Sequence, residues 1–529
     1  MKSRFVSLAA LALIALLTFA TTANASVVFK GSGWGHGVGL SQYGAKAMGL
    51  DGASYEQILK RYFTNIAISE LNETESSSFI ITDESPLSVG ILQNSSTVLF
   101  VVQDGKAQLC FNQGSYCVGT ANSGETFRFG AEEIGKCAFL RINDDKSVTK
   151  IGTSGSCSAS VIPNSKETKL FIPYKARSYK SGILKFRQKS DSMRINTVYE
   201  LGVEDYLKGL SEVPDSWPLA SIQAQVIVSR SYAVWKALER GEEGTLSFER
   251  QQECSCNLRD DKSDQVFLGW TGEAAHPRWV EAVTSTSGQI LSINGQTALG
   301  LYSSSSGGMT ENYSDVFEGG DHPHLVTVND FPAFSIAASN PHSSWEANYS
   351  QELISNIFGF DRISNIFVTE RNESGSAKNV RIRGVINGQS ASMDKTALEI
   401  KESLGLRSTT FEIVSSTTFE DVPTEHIFAR EIMILDESGI TSGCEVDRFC
   451  PDRAVTRAEM AAFLTRALGL DLVDDEKKFQ DDDGHFLESQ IATLAANGIT
   501  SGCEVDRFCP DRAVTRAEMA AFLTRALKL

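Results

Sequence analysis

LGVEDYLKGLSEVPDSWPLASIQAQVIVSRSYAVWKAL, residues Leu201–Leu238, runs from strand-like residues through a turn into a helix with almost no charge. Trp217-Pro218 marks the helix start, with Ser216 able to cap it and Pro218 placed where a missing N–H is harmless. Leu219, Ile222, Val226 and Ala233 recur at helical spacing, and Ala220, Ala224 and Val228 add a second apolar face. A helix apolar nearly all round is a buried one. Yet Gln225, Ser229 and Tyr232 share one stripe of it, and Arg230 is its only charge before Lys236. Just upstream, Glu212 sits in the turn between Leu210 and Val213-Pro214. A carboxyl beside a buried helix has a raised pKa, which is what a general acid near neutral pH needs. On pattern alone the plainer reading is the better supported: Glu212 as a surface turn residue, and Gln225, Ser229 and Tyr232 as a satisfied core network.

Upstream, LFIPY, GILKFRQ and INTVYELG from Thr168 onward read as strands leading into this stretch. Before them, short alternating runs (FIITD, LSVGIL, TVLFVV, AQLCF, TFRFG) define a β-rich insert over residues 70–163 with no catalytic constellation. At the start of the chain, Lys2 and Arg4, an apolar run from Phe5 to about Ala20, and Ala23-Asn24-Ala25 read as a secretory signal over 1–25. That run is too short to span a membrane, and no later stretch is long enough. Export makes the cysteines readable as disulfides: Cys110 with Cys117, Cys137 with Cys157, Cys444 with Cys450 and Cys503 with Cys509. Cys254 and Cys256 stand too close for an unstrained bridge, and too few ligands surround them for a metal. No metal and no cofactor is assigned. A net charge of -17 argues against nucleic acid and against an anionic membrane surface as partners.

Two further stretches are rich in chemistry. GSGWGHGVGLSQYGAKAMGLDGASYEQILKRYF, Gly31–Phe63, has five glycines in nine residues, so its backbone packs against or approaches something closely. It reads equally as a structural knot or a ligand-approach loop, and it lacks the Gly-Lys-Ser/Thr end of a phosphate loop. Ser41 can cap a short helix, and Ser54 with Gln57 forms a capping box for a second. LYSSSSGGMTENYSDVF, Leu301–Phe317, is a polar loop unlikely to be core. A serine nucleophile with His322 or His324 is disfavoured, because no strand-turn-helix elbow surrounds it.

These motifs together resemble the stage II sporulation protein D / amidase-enhancer LytB (SpoIID/LytB) family. YLKGLSEVPDSWP and IQAQVIVSRSYA match its E-[MV]-P and Arg-Ser-Tyr-Ala signatures, with Glu212 at the position of the family's catalytic glutamate. GSGWGHGVGLSQYGA matches its second hallmark, here placed ahead of the rest of the domain, as in a permuted arrangement. The serine-glycine stretch and HSSW (His342–Trp345), followed by a helix around Gln351–Ile357, complete a likeness covering most of 26–417. The resemblance implies that His36 and Gln42 face a glycan cleft with Gln225, Ser229, Arg230 and Tyr232. It implies that Ser306, Gly307, Gly308, Thr310 and Glu311 contact sugar hydroxyls, with Glu311 also the alternative carboxylate.

Beyond a linker at 415–418 the composition changes. GITSGCEVDRFCPDRAVTRAEMAAFLTRAL occurs at 439–468 and again, identically, at 498–527. Thr456 with Glu459 and Thr515 with Glu518 are capping boxes, and Met460, Phe463, Leu464 and Ala467 make an apolar face. These repeats, 419–468 and 479–529, resemble S-layer homology (SLH) domains. The resemblance implies that Arg457, Glu459, Arg516 and Glu518 contribute to a groove for secondary cell-wall polymer. Such domains usually act in threes, and two are evident. The fold expectation is α+β: a mixed SpoIID-like core with its β-rich insert, then all-α helix-loop-helix repeats. The functional expectation is a secreted, wall-attached lytic transglycosylase acting on peptidoglycan glycan strands. The alternative is a non-catalytic enhancer or glycan-binding module that serves an N-acetylmuramoyl-L-alanine amidase.

Overall fold

The computed structural model describes residues 26–74, 87–190, 192–241, 246–415, 419, 421–422, 426–437, 440–441, 443–445, 448–473 and 479–526. The expected signal segment, the FIITD strand and linker residues 416–418 lie outside the described residues. The molecule is mixed α/β, with strands dominating before residue 200 and helices after 416.

Its first strand, Ser26–Gly31, is the middle of a three-stranded antiparallel sheet between Trp345–Ser350 and Phe411–Ser415. Phe29 is fully buried there, edge-on to Tyr349 and Phe411 at 5.9 and 5.4 Å. The two ends of the core are thereby tied together. Ser41 caps the Gln42–Leu50 helix by accepting from the Gly44 N–H, and Ser54 with Gln57 caps Tyr55–Tyr62, both as the sequence indicates.

The β-rich region is a sandwich of two antiparallel-dominated sheets. One has seven strands, in the order 258–259, 87–95, 195–201, 182–188, 159–163, 106–111, 116–122. The other has six, in the order 148–154, 136–142, 126–133, 97–104, 169–172, 177–179. Alternating Phe100, Phe127, Phe129, Phe139 and Phe186 meet between them, with rings 4.3–6.4 Å apart. The sheets do not stop at residue 163. Leu170, Ile172, Leu184 and Phe186 keep the same period and are buried in the same core, so the sandwich runs directly into the Ile195–Leu201 strand. Disulfides join Cys110–Cys117 and Cys137–Cys157, and Cys254–Cys256 are also bonded to one another.

The strand ends at Leu201, and the residues that read as strand-like beyond it, Val203–Lys208, form a short helix instead. Gly202 starts it, and Glu204 and Asp205 at its first turn with Lys208 at its last suit the helix dipole. The central helix spans Leu219–Arg240 and is buried along most of its length. Ser216 does not cap it. Pro218 is the N-cap residue, and its carbonyl receives the N–H groups of Ser221 and Ile222.

The glycine-rich and serine-rich stretches lie against each other. Leu40-Ser41 pairs in parallel with Tyr302-Ser303, Trp34 bridges Ser305, and Val38 bridges Glu311. The serine loop, expected at the surface, is therefore core: Ser305, Ser306, Thr310 and Glu311 are buried. Their side chains find distant partners, Asn340 for Ser305, Asp330 for Ser306, the Val326 carbonyl for Thr310 and Ser374 for Glu311, which the sequence pattern alone could not reveal. Gly33, Gly35, Gly37 and Gly39 all have positive φ. A Cβ on Gly39 would stand 2.2 Å from the Leu301 carbonyl oxygen.

A meander of Arg362–Arg371, Ala377–Ile386 and Gln389–Thr396 packs on two helices, Gln351–Phe358 and Ala397–Leu404, and ends the core. The C-terminal region contains helices Ala429–Glu437, Arg457–Ala467, Glu488–Ala496 and Arg516–Ala526. Cys444–Cys450 and Cys503–Cys509 are bonded. Asp436 of the first of these helices accepts from Asn365 and pairs with Arg383 on the meander at 2.8 and 2.9 Å.

Replacing Gly39 by alanine puts a methyl group against a fixed carbonyl and holds a non-glycine residue at positive φ. The expected loss is about 2–4 kcal/mol of stability, read as a lower urea midpoint with an unchanged slope.

Candidate functional site

Glu212 lies in the turn between the Val203–Lys208 helix and the central helix, and this turn is held from three sides. Asp215 accepts from the N–H groups of Arg278 and Trp279 at the start of the Pro277–Ser285 helix. The Trp279 indole donates to the Leu207 carbonyl at 2.7 Å. Gln42, from the glycine-rich segment, donates to the backbone oxygen of Glu212 at 3.2 Å.

The Glu212 carboxyl opens into a cavity of about 540 Å³ whose walls include His36, Tyr232, Asp264, Gln265, Tyr302 and Phe317. Burial raises its pKa to about 7, while a hydrogen bond from the Tyr302 hydroxyl pulls in the opposite direction. Near neutral pH the group is therefore partly protonated, able both to give a proton and to take one back. Asp264, the other carboxylate in the wall, is committed. It accepts from the Tyr232 hydroxyl, pairs with Arg240 at 2.8 Å, and receives the Arg259 N–H. Lys236, Arg240 and Lys262 make one side of the cavity cationic.

His36 is held neutral. Its Nδ1 accepts from the Val38 N–H at 3.0 Å and its ring packs against Phe317. Burial first, then the nearby Lys401 charge, lowers its pKa to about 4. It shapes the cavity wall and does not exchange protons at neutral pH.

The remaining expected residues divide by position. Tyr232 reaches the cavity with Glu212 and His36. Gln42, Gln225 and Ser229 form a chain behind the turn, Gln42 donating to Gln225 and Gln225 to Ser229, with Gln225 and Ser229 buried. They support the turn from inside and do not line the cavity. Arg230 does not line the cavity: fully buried, it pairs in bidentate fashion with Glu204 and donates to the Gln289 carbonyl. The ends of the serine-glycine stretch, Leu301, Tyr302, Tyr313 and Phe317, line this cavity, but Ser306, Gly307, Gly308, Thr310 and Glu311 do not. Ser306 donates to Asp330 at 2.6 Å, Gly307 accepts from Ser32, and Thr310 donates to Val326. Glu311 is buried on the far side of the glycine-rich loop, where it accepts from Ser374 at 2.7 Å, and burial raises its pKa.

In the repeats, both threonine-glutamate capping boxes form. Arg457 is buried, stacked over Phe508 and Phe522, and bonded to the Phe508 carbonyl and to Glu518 of the other repeat at 2.7 Å each. It joins the two copies and is not open to a polymer. Glu459 pairs with Arg453 at the edge of a smaller cavity of about 200 Å³ that also contains Arg466 and Phe486. The Arg516 side chain lies outside the described residues.

The residues that sequence reasoning missed are Tyr206, Gln265 and Tyr302. Tyr302 precedes the serine run and was hidden by it. Gln265 sits in an irregular stretch whose pattern carries no signal. Among the described residues no group of three or more His, Cys, Asp or Glu side chains is arranged to hold a metal ion.

Residues 191–292 match the family model for stage II sporulation protein, SpoIID, and residues 418–461 and 478–520 match that of the S-layer homology domain. The chain thus carries a SpoIID domain and two SLH repeats. Over 148 residues it is 28% identical to the amidase enhancer of Bacillus subtilis, covering 28% of this chain and 17% of that protein. It is 33% identical over 119 residues to the cellulosome-anchoring protein of Acetivibrio thermocellus, covering 22% of this chain and 27% of that protein. It is also 34% identical over 113 residues to the S-layer protein sap of Bacillus anthracis, covering 21% of this chain and 14% of that protein. The chain therefore spans about a quarter or less of the length of each. The SLH repeats make it a cell-surface protein, and no helix among the described residues is long and apolar enough to cross a membrane. The matched SpoIID segment contains Glu212, the central helix and Gln265 but neither the glycine-rich loop nor Tyr302. The fold brings those to it.

Glu212 also predicts a pH dependence of stability. A buried carboxyl whose folded pKa is raised favours the native state when protonated, and that advantage is lost as pH rises from the unfolded value near 4.5 through about 7. Glu212→Gln removes the charge at every pH. With allowance for partial solvent access, the variant is expected to exceed wild type by about 2–3 kcal/mol at pH 8 and to match it at pH 4, read by urea unfolding at the two pH values.

Proposed function

We propose that the protein is an exported, wall-attached lytic transglycosylase that cleaves peptidoglycan glycan strands between N-acetylmuramic acid and N-acetylglucosamine. The observation that carries this reading is a carboxyl, Glu212, whose pKa burial raises to about 7, in a cavity whose other carboxylate is tied up in ion pairs and hydrogen bonds. Ordinary glycosidases use two working carboxyl groups. One suffices when the nucleophile belongs to the substrate. Glu212 protonates the glycosidic oxygen as the bond to muramic C1 breaks. The resulting carboxylate then takes the proton of the muramic C6 hydroxyl as that oxygen bonds to C1, leaving a 1,6-anhydro end. The proton count closes, and Glu212 is ready for another turn. Five disulfides support an oxidising, extracytoplasmic setting, in keeping with the signal segment read over 1–25.

Glu212→Gln is expected to reduce glycan cleavage by at least the roughly 10²–10⁴-fold attributable to general acid–base help, with glycan binding retained in a pull-down. Cleavage near the wild-type rate would remove Glu212 from this role. The likeness to an amidase enhancer favours a second reading, in which the cavity presents strands to a partner amidase without cutting them. Purified protein that cuts nothing alone but accelerates an added N-acetylmuramoyl-L-alanine amidase would establish it.

The SLH repeats are proposed to hold the protein on secondary cell-wall polymer. Removing residues 419–529 is expected to shift it from the wall-bound to the soluble fraction in sedimentation with purified walls. Unchanged sedimentation would move wall attachment into the core.

A further inference from the structure

Next to Glu212 lies a buried chain of polar side chains that the proton-transfer scheme leaves unused. The Tyr206 hydroxyl donates to Gln265 Oε1 at 3.0 Å, and Gln265 Nε2 donates to the Tyr302 hydroxyl at 3.1 Å. Tyr302 in turn interacts with the Glu212 carboxyl in the same cavity wall. Tyr206 and Gln265 are almost completely buried. The chain starts on the Val203–Lys208 helix, crosses the irregular segment after residue 260, and ends on the Tyr302-Ser303 strand.

We propose that Tyr302 is a positioning residue for Glu212, locked by Gln265 and Tyr206 as a one-way donor to the carboxyl. The argument turns on the amide of Gln265. Its Nε2 also faces the Ser229 backbone carbonyl at 3.4 Å, an oxygen that only accepts. The NH2 end must therefore point toward Ser229 and Tyr302, and the carbonyl end toward Tyr206. Tyr206 has to donate. Tyr302, receiving a hydrogen on its oxygen, has its own hydrogen free for Glu212. Both phenols are pushed well above their ordinary pKa by burial and then by the Glu212 charge, so they remain protonated donors.

A fixed donor has two consequences at Glu212. In the neutral acid the oxygen facing Tyr302 is the carbonyl oxygen, so the acidic hydrogen sits on the other one. In the carboxylate the same hydrogen bond stabilises the charge that burial disfavours. Tyr302 thus opposes desolvation and keeps the group able to lose its proton and regain it. The other titratable groups around the cavity are His36, which is neutral, Tyr232, Tyr313, Asp264, Lys236, Arg240 and Lys262.

The role in catalysis rests on the reading of Glu212 as the acid; the direction of the hydrogen bonds does not. The test is carbon-13 NMR of the full-length exported protein labelled at the glutamate carboxyl carbon, with Glu212→Gln identifying the signal. Tyr302→Phe leaves burial unopposed and is expected to raise the Glu212 pKa by about one unit. Gln265→Leu, which leaves Tyr302 free to turn away, is expected to give a smaller rise, and it carries the test if Tyr302→Phe does not fold. An unchanged or lowered Glu212 titration in both variants would overturn the proposal. In the cleavage assay the high-pH limb should move upward with the NMR titration. A wild-type protein that cuts no glycan but shows these shifts would end the transglycosylase reading and leave the positioning role standing.

Discussion

The site depends on the close approach of two backbones. Residues 33–40 lie against 301–307 with no room for side chains on the glycines that face the contact, and the Leu40 N–H reaches the Leu301 carbonyl at 2.9 Å. One strand of this pair delivers His36 and Gln42, the other Tyr302, to a turn that is itself fixed by Asp215 and Trp279. The first strand, Ser26–Gly31, and the last, Phe411–Ser415, pair at the base of the same assembly. Segments some 270 residues apart in the chain are therefore held by the glycine pattern and by the sheet that closes the core.

Within that frame the chemistry is economical. The carboxyl of Glu212 is raised by burial and moderated by one tyrosine hydroxyl, placing its proton exchange near neutral pH. His36, expected to face the glycan cleft, is desolvated and held neutral. Asp264 is held by Tyr232, Arg240 and the Arg259 N–H, which fix it as the counter-ion of the cationic side chains beside it. A site with one exchangeable proton fits a reaction whose nucleophile is carried by the substrate.

Much of this was legible in the sequence. The buried central helix followed from its missing charges, the short N-terminal helices from Ser41 and Ser54, and the disulfide pairs in the sandwich from local spacing. Glu212 could be singled out as a carboxyl in a turn beside a buried helix, though its role required the family resemblance. What stayed hidden depended on distant contacts. Ser305, Ser306, Thr310 and Glu311 read as surface because a serine-rich run is polar, and the glycine backbone that faces it, with Asn340, Asp330 and Ser374 from later in the chain, makes it core. Arg230 and Arg457 read as ligand contacts because they sit in recognisable motifs. Their partners, Glu204 and Glu518, lie 26 and 61 residues away and convert both into internal braces. Gln265 had no pattern at all, since an isolated amide gains meaning only from the two tyrosines and the carbonyl around it.

The central claim, that the substrate supplies its own nucleophile, is open to a direct measurement: digestion of purified glycan strands in water enriched in heavy oxygen, with the fragments weighed by mass spectrometry. The account predicts anhydro-ended fragments carrying no heavy oxygen. Incorporation of one heavy oxygen per cleaved bond would mean that water attacks C1, and would contradict it.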